Sequence, residues 1–297
     1  MPLLKYGVLL LLLGVFISSC SKEKEEPPKP PAPKAAAPVT PAPKQKDTTQ
    51  KIIGNELYRP YKLTGARSLS DLTKELGNEK MFLLYKINRR DLKHLKEGET
   101  LAVPNGDSTE ETYSPFPDSL KNLDSVRKII IISRRVQAFA AYENGKLVRW
   151  GPTSTGKKAT PTPEGLYHTN WKSKETHSTV DDAWVLKWYF NLDNLEGISL
   201  HEYDLPGYPA SHSCIRLLAE DAQWIYFWAQ QWKVAADRNT IVENGTPVIV
   251  FGEYAYGRTP PWKKLITDLH AADIPENELI PLIGKYFPEK RVQLSSH

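Results

Sequence analysis

Within the stretch ISLHEYDLPGYPASHSCIRLL the chain gathers His201, His212, Ser213, Cys214 and Arg216, the residue types of nucleophilic acyl transfer. A cysteine attacks as its thiolate, and its pKa falls near a helix N-terminus and beside an imidazolium. His201 ends a strand candidate and Cys214 lies just before a helix candidate, so both conditions are within reach. A histidine can take the thiol proton and return it to a leaving amine, because its own pKa lies near working pH. The backbone N–H groups of Ser213 and Cys214, in a tight turn, would stabilise the oxyanion of a tetrahedral intermediate, at about 3 to 4 kcal/mol for each such donor. Arg216, always charged and able to bond in two places, suits a carboxylate or the bracing of the loop around Cys214. A zinc set of His177, His201, His212 and Cys214 with Asp181 or Asp182 is the first competitor. His212 and Cys214, two residues apart, are not a usual chelating pair, and no His-Glu-x-x-His motif occurs.

Those residues need a scaffold, and the texture between 125 and 254 is mainly β. Lys128 to Ser133 is a β-branched run, Val136 to Tyr142 alternates in part, and Asn144-Gly145 is a hairpin signal leading into Lys146 to Trp150. Trp184 to Leu192, Gly197 to Leu200 and Thr246 to Phe251 read as further strands. A helix is expected from Ala219 to about Trp232, with Trp224, Phe227 and Trp228 inward. The tryptophans Trp171, Trp184 and Trp188 read as core. Beyond 254, Leu265, Leu269, Ile274, Leu279, Leu282 and Ile283 suggest a helical extension to 297.

Upstream, residues 57–105 read as strand, helix, helix, strand. Leu69, Leu72 and Leu76 share one helical face, Leu83, Leu84 and Ile87 another, and Leu101 to Pro104 closes the segment. Residues 106–124, with Pro115 and Pro117, read as a polar connection. Residues 20–51 are Pro, Ala, Lys and Thr with almost nothing large to bury, an extended tether. The first 19 residues read as a targeting segment. Its apolar run from Gly7 to Ile17 is short for a membrane span, and Ser18-Ser19-Cys20 follows it. The chain has only two cysteines, Cys20 and Cys214. If Cys20 carries lipid, Cys214 has no thiol partner in an oxidising compartment, and its neighbours favour a reactive role. A net charge of +4, with Lys and Arg interspersed among Asp and Glu, argues against a nucleic-acid stripe.

Several separated segments together resemble a known family. Ser211-His212-Ser213-Cys214-Ile215-Arg216, with His201 ahead of it, is similar to the signature of the L,D-transpeptidase (YkuD-type) catalytic domain, a histidine followed by Ser/Thr-His-Gly-Cys and then Arg or Asn. TSTGKKATPTPEG and NGTPVIV resemble that family's strand and loop toward the site and its last strand. The resemblance implies a β-sandwich with a helix after the nucleophile. It also implies Cys214 as the acylated residue, His201 as general base and acid, and His212, Ser213 and Arg216 as supporting, oxyanion or substrate-binding residues, with no cofactor and no metal. The implied substrates are peptidoglycan stem tetrapeptides, cleaved through a thioester that an amine resolves into a cross-link. An L,D-carboxypeptidase using water at the same site, and a peptidoglycan-binding lipoprotein without catalysis, are the alternatives. Ile17-Ser18-Ser19-Cys20 resembles a bacterial lipobox, implying a lipid anchor at Cys20 in the cell envelope, on the outer-membrane or periplasmic side. YKLTGARSLSDLTKEL, LLYKINRRDLKHL and KEGETLAVP resemble a degenerate LysM module, implying glycan contact.

Two positions depart from the family pattern. Ser213 stands where glycine is usual, which would strain the chain if that residue needs a positive φ. The interval from His201 to Cys214 is short, with Pro206-Gly207 as the turn of a shortened loop, and Glu202 follows the histidine where glycine is frequent.

Overall fold

The fold is taken from a computed structural model of the chain, which describes residues 57–106, 108–178, 181–237 and 240–288. The targeting segment, Cys20 and the tether lie outside the described residues.

The first described segment forms β1 (Tyr58–Lys62), α1 (Ala66–Asn88) and, after a short turn, β2 (Thr100–Pro104), which pairs antiparallel with β1. Gly77, at φ 68 and ψ 174, interrupts α1, so two helices follow one another as the leucine spacing requires. Leu72 and Leu84 are buried against Leu63, Leu101 and Val103. Residues 106–124, expected as a polar connection, bury Tyr113, Phe116, Leu120 and Leu123, and so belong to the packed body.

Nine strands then build one mixed sheet. They are β3 (Lys128–Ser133), β4 (Ala138–Glu143), β5 (Lys146–Ser154), β6 (Gly165–His168), β7 (Lys172–His177), β8 (Val185–Asp193), β9 (Ile198–Glu202), β10 (Ile215–Leu217) and β13 (Pro247–Phe251). Helix α2 (Ala219–Trp228) and the small hairpin of β11 (Lys233–Val234) with β12 (Ile241–Glu243) come between β10 and β13, and α3 (Glu276–Tyr286) follows. The order across the sheet is β6-β13-β3-β4-β5-β10-β9-β8-β7. The β3 isoleucines are buried on both faces, as a central strand demands. The β4–β5 turn is Asn144-Gly145, both residues at positive φ, the conformation of a type I′ hairpin.

The two layers of the expected sandwich are halves of this single curled sheet. Ile130, Ile132, Phe139, Val248 and Val250 meet Phe190, Leu200, Ile215 and Leu217 between them, with Ala222 and Ile225 of α2. The opposite face, Ile129, Ile131, Ala140 and Ile249, is covered by Leu120, Leu123 and the α3 residues Leu279 and Ile283. Trp150, Trp262 and Leu265 pack with Tyr58, Leu83 and Ile87, so the upstream segment shares a core with the sheet.

Helix α2 ends at Trp228, short of the expected Trp232, and Phe227 is 63% exposed rather than inward. A larger difference lies ahead of it. Cys214 does not abut a helix: β10 intervenes, and α2 begins only at Ala219. Ile215 and Leu217 are buried while Arg216 between them is not, the alternation of a strand.

Candidate active site

Two adjacent parallel strands set the geometry. β9 and β10 pair with Leu200 opposite Ile215 and His201 opposite Arg216. Alternation turns Ile198 and Leu200 into the core and leaves Ser199 and His201 on the other face. Arg216 of β10, and Cys214 just before that strand, lie on the same side. His201, Cys214 and Arg216 border a cavity of about 480 Å³.

The thiol of Cys214 donates to Gly197 O at 3.3 Å, and the hydroxyl of Ser199 donates to Sγ at 3.3 Å. Burial pushes the Cys214 thiol up, opposed by the Ser199 hydroxyl and N–H and by the Arg216 charge. His201 is 3% exposed. Its Nδ1–H donates to Glu202 O at 2.9 Å, which fixes the tautomer and leaves Nε2 as the basic nitrogen. Burial holds its pKa at about 4, with Arg216 lowering it further and the Glu202 carbonyl opposing. At neutral pH the site therefore holds a neutral thiol and a neutral imidazole. The thiolate stabilisation expected from a helix N-terminus and an imidazolium is replaced by hydrogen bonds from Ser199 and the charge of Arg216.

The turn carrying the nucleophile is held on several sides. Ser211 N–H donates to Thr155 O at 3.1 Å, Lys157 N–H to Ser211 O at 2.9 Å, and Thr162 Oγ1 to Ser213 O at 2.7 Å. Ser211 Oγ also donates to the Cys214 carbonyl. Gly156 lies so close beneath the 160–162 backbone that a Cβ would come 2.1 Å from Thr160 O, which explains a glycine in TSTGKKATPTPEG. Ser213 adopts φ 92, the left-handed side that glycine prefers, and its hydroxyl donates to Glu196 O at 3.2 Å.

His212 stands at the cavity wall, its ring 5.5 Å from that of Trp184 and its Nε2 2.7 Å from Lys157 Nζ. Because an ammonium only donates, Nε2 accepts and Nδ1 carries the proton. That Nδ1 is buried without a hydrogen-bond partner among the described residues. Burial, then Lys157 and then Arg216 keep the His212 pKa below its usual value. The Arg216 guanidinium lies 4.5 Å from the Tyr203 ring and donates to Asp204 O at 3.5 Å.

The structure thus brings Cys214, His201, His212 and Arg216 to one cavity, with Ser213 in the turn beside them. His177 also lines that cavity, yet among the described residues no three His, Cys, Asp or Glu side chains form a metal-holding group. Trp171 and Trp184, read from the sequence as core, line the cavity instead, while Trp188 packs at the core edge. Ser199, Tyr189 and Tyr203 were not singled out from the sequence. Ser199 could have been, since it stands two residues before His201 on an alternating strand.

A mainly β scaffold thus presents a thiol, three imidazoles and a guanidinium to one cavity. Residues 127–250 match the family model of the YkuD L,D-transpeptidase catalytic domain. Among solved structures, an L,D-transpeptidase from Mycobacterium smegmatis is similar at 20% identity and TM-score 0.34, over 42% of this chain and 59% of that one. An L,D-transpeptidase from Mycobacterium tuberculosis H37Rv is similar at 23% identity and TM-score 0.34, over 42% and 58%. The catalytic domain of an E. faecium L,D-transpeptidase is similar at 23% identity and TM-score 0.33, over 42% of this chain and 96% of that domain. The chain spans less than two thirds of the first two. No curated protein sequence matches.

Proposed function

We propose that this protein is a peptidoglycan L,D-transpeptidase acting by cysteine acyl transfer. The observation that carries the reading is the placement of His201 on β9 and of Cys214 just before the parallel strand β10, both bordering one cavity within the residues that match the family model. In this reading the thiol attacks the carbonyl of a stem-tetrapeptide amide at an L-to-D centre bond. The C–N bond breaks, the departing D-alanine amine takes the thiol's proton by way of His201, and a thioester remains on Cys214. An amine of a neighbouring stem peptide then gives its proton to His201 and displaces the thiolate, which is reprotonated. A histidine held neutral suits both transfers, because it can accept a proton at once and returns it readily. The N–H groups of Ser213 and Cys214 serve the oxyanion, His212 Nδ1–H offers a further donor, and Arg216 holds a substrate carboxylate.

The rest of the chain fits an envelope setting. Cys20 is the proposed lipid attachment point, residues 20–51 the tether, and residues 57–105 a LysM-like module that contacts glycan. The proposed location is the cell envelope, on the outer-membrane or periplasmic side. The test is intact-mass spectrometry of the chain incubated with purified disaccharide tetrapeptide, beside Cys214→Ala. An acyl adduct or D-alanine release that needs Cys214 supports acyl transfer. Cross-linked products mark a transpeptidase and hydrolysed ones an L,D-carboxypeptidase. Neither adduct nor turnover, with peptidoglycan binding retained, would replace the enzyme by a binding lipoprotein.

A further inference from the structure

The upstream segment meets the sheet at the C-terminal end of α1, and that end reaches the loop beside the cavity. Two wholly buried cations fix it there. Lys86 Nζ donates to Trp150 O at 2.8 Å, and Arg89 Nε donates to Val136 O at 2.9 Å. The Arg89 guanidinium also lies 5.5 Å and 5.8 Å from the ring centres of Trp150 and Trp262. Asp91, two residues on, bonds both sides of Leu205. Its N–H donates to Leu205 O at 3.1 Å, and its Oδ2 accepts from Leu205 N–H at 2.7 Å. Its other oxygen accepts from His94 N–H at 3.1 Å, which keeps the carboxylate aimed. Leu205 is fully buried, and Arg90 pairs with Pro206 and fills the space a side chain at Gly207 would need.

Residues 203–207 connect the strand of His201 to the nucleophile's turn. Tyr203 meets the His201 ring edge-on at 5.9 Å and lies against Arg216, whose other contact is the Asp204 carbonyl. The bonds that hold the Cys214 turn, from Thr155, Lys157 and Thr162, do not pass through Asp91. We propose that Asp91 is a positioning residue of the active-site cavity: by clamping Leu205 it sets Tyr203 and, through it, the Arg216 guanidinium that receives the substrate. The substrate arm of this inference rests on the acyl-transfer reading; the clamp itself does not. The upstream segment is then a structural part of the binding site, whatever else it contacts.

The experiment compares the full chain with Asp91→Ala, Asp91→Asn and Lys93→Ala, the last removing an exposed ion pair to Asp204. Four readouts are taken: amide exchange across residues 203–207, alkylation of Cys214 by iodoacetamide, tetrapeptide turnover and the thermal midpoint. Asp91→Ala should speed exchange at 203–207 about tenfold or more. It should raise KM about tenfold, and leave alkylation within about twofold, because the nucleophile's own supports are intact. Asp91→Asn keeps an oxygen for Leu205 N–H and should restore most of both effects, and Lys93→Ala should change neither. Unchanged exchange in Asp91→Ala overturns the clamp. Alkylation and thermal midpoint falling together overturns it also, since that marks general destabilisation. If the unsubstituted chain turns over no tetrapeptide, the acyl-transfer reading fails, and the exchange arm still decides the clamp.

Discussion

Ser199 and Cys214 lie side by side where β9 pairs with the start of β10, and the serine hydroxyl donates to Sγ at 3.3 Å. Two residues along, His201 stands opposite Arg216. The hydroxyl that donates to the resting nucleophile thus belongs to a serine two residues before the histidine.

Alkylation of Cys214 by iodoacetamide should therefore rise to half its maximum above pH 9.0, the ordinary thiol value, because burial raises this one. Ser199→Ala removes a bond that favours the thiolate and should move the midpoint higher still. A midpoint that stays put or falls would mean the hydroxyl does not stabilise the anion.

His201→Gln should lower tetrapeptide turnover by about 10² to 10⁴, the range for loss of a general acid–base group. Stability measured by urea unfolding should stay close to that of the unsubstituted chain, since an amide can still donate to the Glu202 carbonyl. Turnover within a fewfold of the original would move the base role elsewhere, with His212 next in line.

The same histidine predicts a pH dependence of folding. Its folded pKa of about 4 lies below the 6.5 of the unfolded chain, so below 6.5 the unfolded state takes up a proton that the folded state refuses. Stability from this group is complete above pH 6.5 and is lost as pH falls toward about 4, to a limit of about 3 kcal/mol at 1.36 kcal/mol per pH unit. Urea midpoints from pH 7 to pH 4 should fall less in His201→Gln than in the unsubstituted chain; parallel curves would contradict this.

Ser213→Gly should raise stability by about 1 kcal/mol, because glycine adopts φ 92 without the strain a serine bears. The hydroxyl bond to Glu196 O is lost in the exchange, and being exposed it offsets only part of the gain. Calorimetry measures the balance, and a lower melting temperature would show the hydroxyl bond to be the larger effect.

Lys86→Ala should destabilise by about 3 to 5 kcal/mol in urea unfolding. Asp221 is fully buried between Lys86 and Arg149, and removing one cation leaves its carboxylate with a single partner. A loss under about 1 kcal/mol would mean the cluster rearranges or Asp221 becomes protonated, a change its raised pKa already favours.

Much of this was legible along the chain. The β-branched run at 128–133, the Asn144-Gly145 turn and the leucine spacing around Gly77 are local signals, and each element forms where its residues place it. His201, His212, Cys214 and Arg216 were legible for the same reason, being close together in sequence. What was not legible depends on partners far along the chain. β10 has only three residues, Ile215–Leu217, and becomes a strand because β5 and β9 flank it. Trp171 and Trp184 are as apolar as core residues, and only the position of the β7–β8 edge turns them to the cavity. The polar look of 106–124 hid Phe116, Leu120 and Leu123, whose burial needs α3 and the far face of the sheet, and Tyr113, which packs with Tyr58 and Trp150.

The four consecutive isoleucines of β3 have one neighbour, β4, that follows within a few residues, and a second, β13, whose Val248 to Phe251 pair with Ile130 to Ser133 from the far end of the domain. Until residue 251 is available, that strand has an open, uncharged edge of the kind that recruits other chains. Productive folding therefore waits on the end of the domain, and a chain cut short before β13 should aggregate rather than form a smaller soluble sheet.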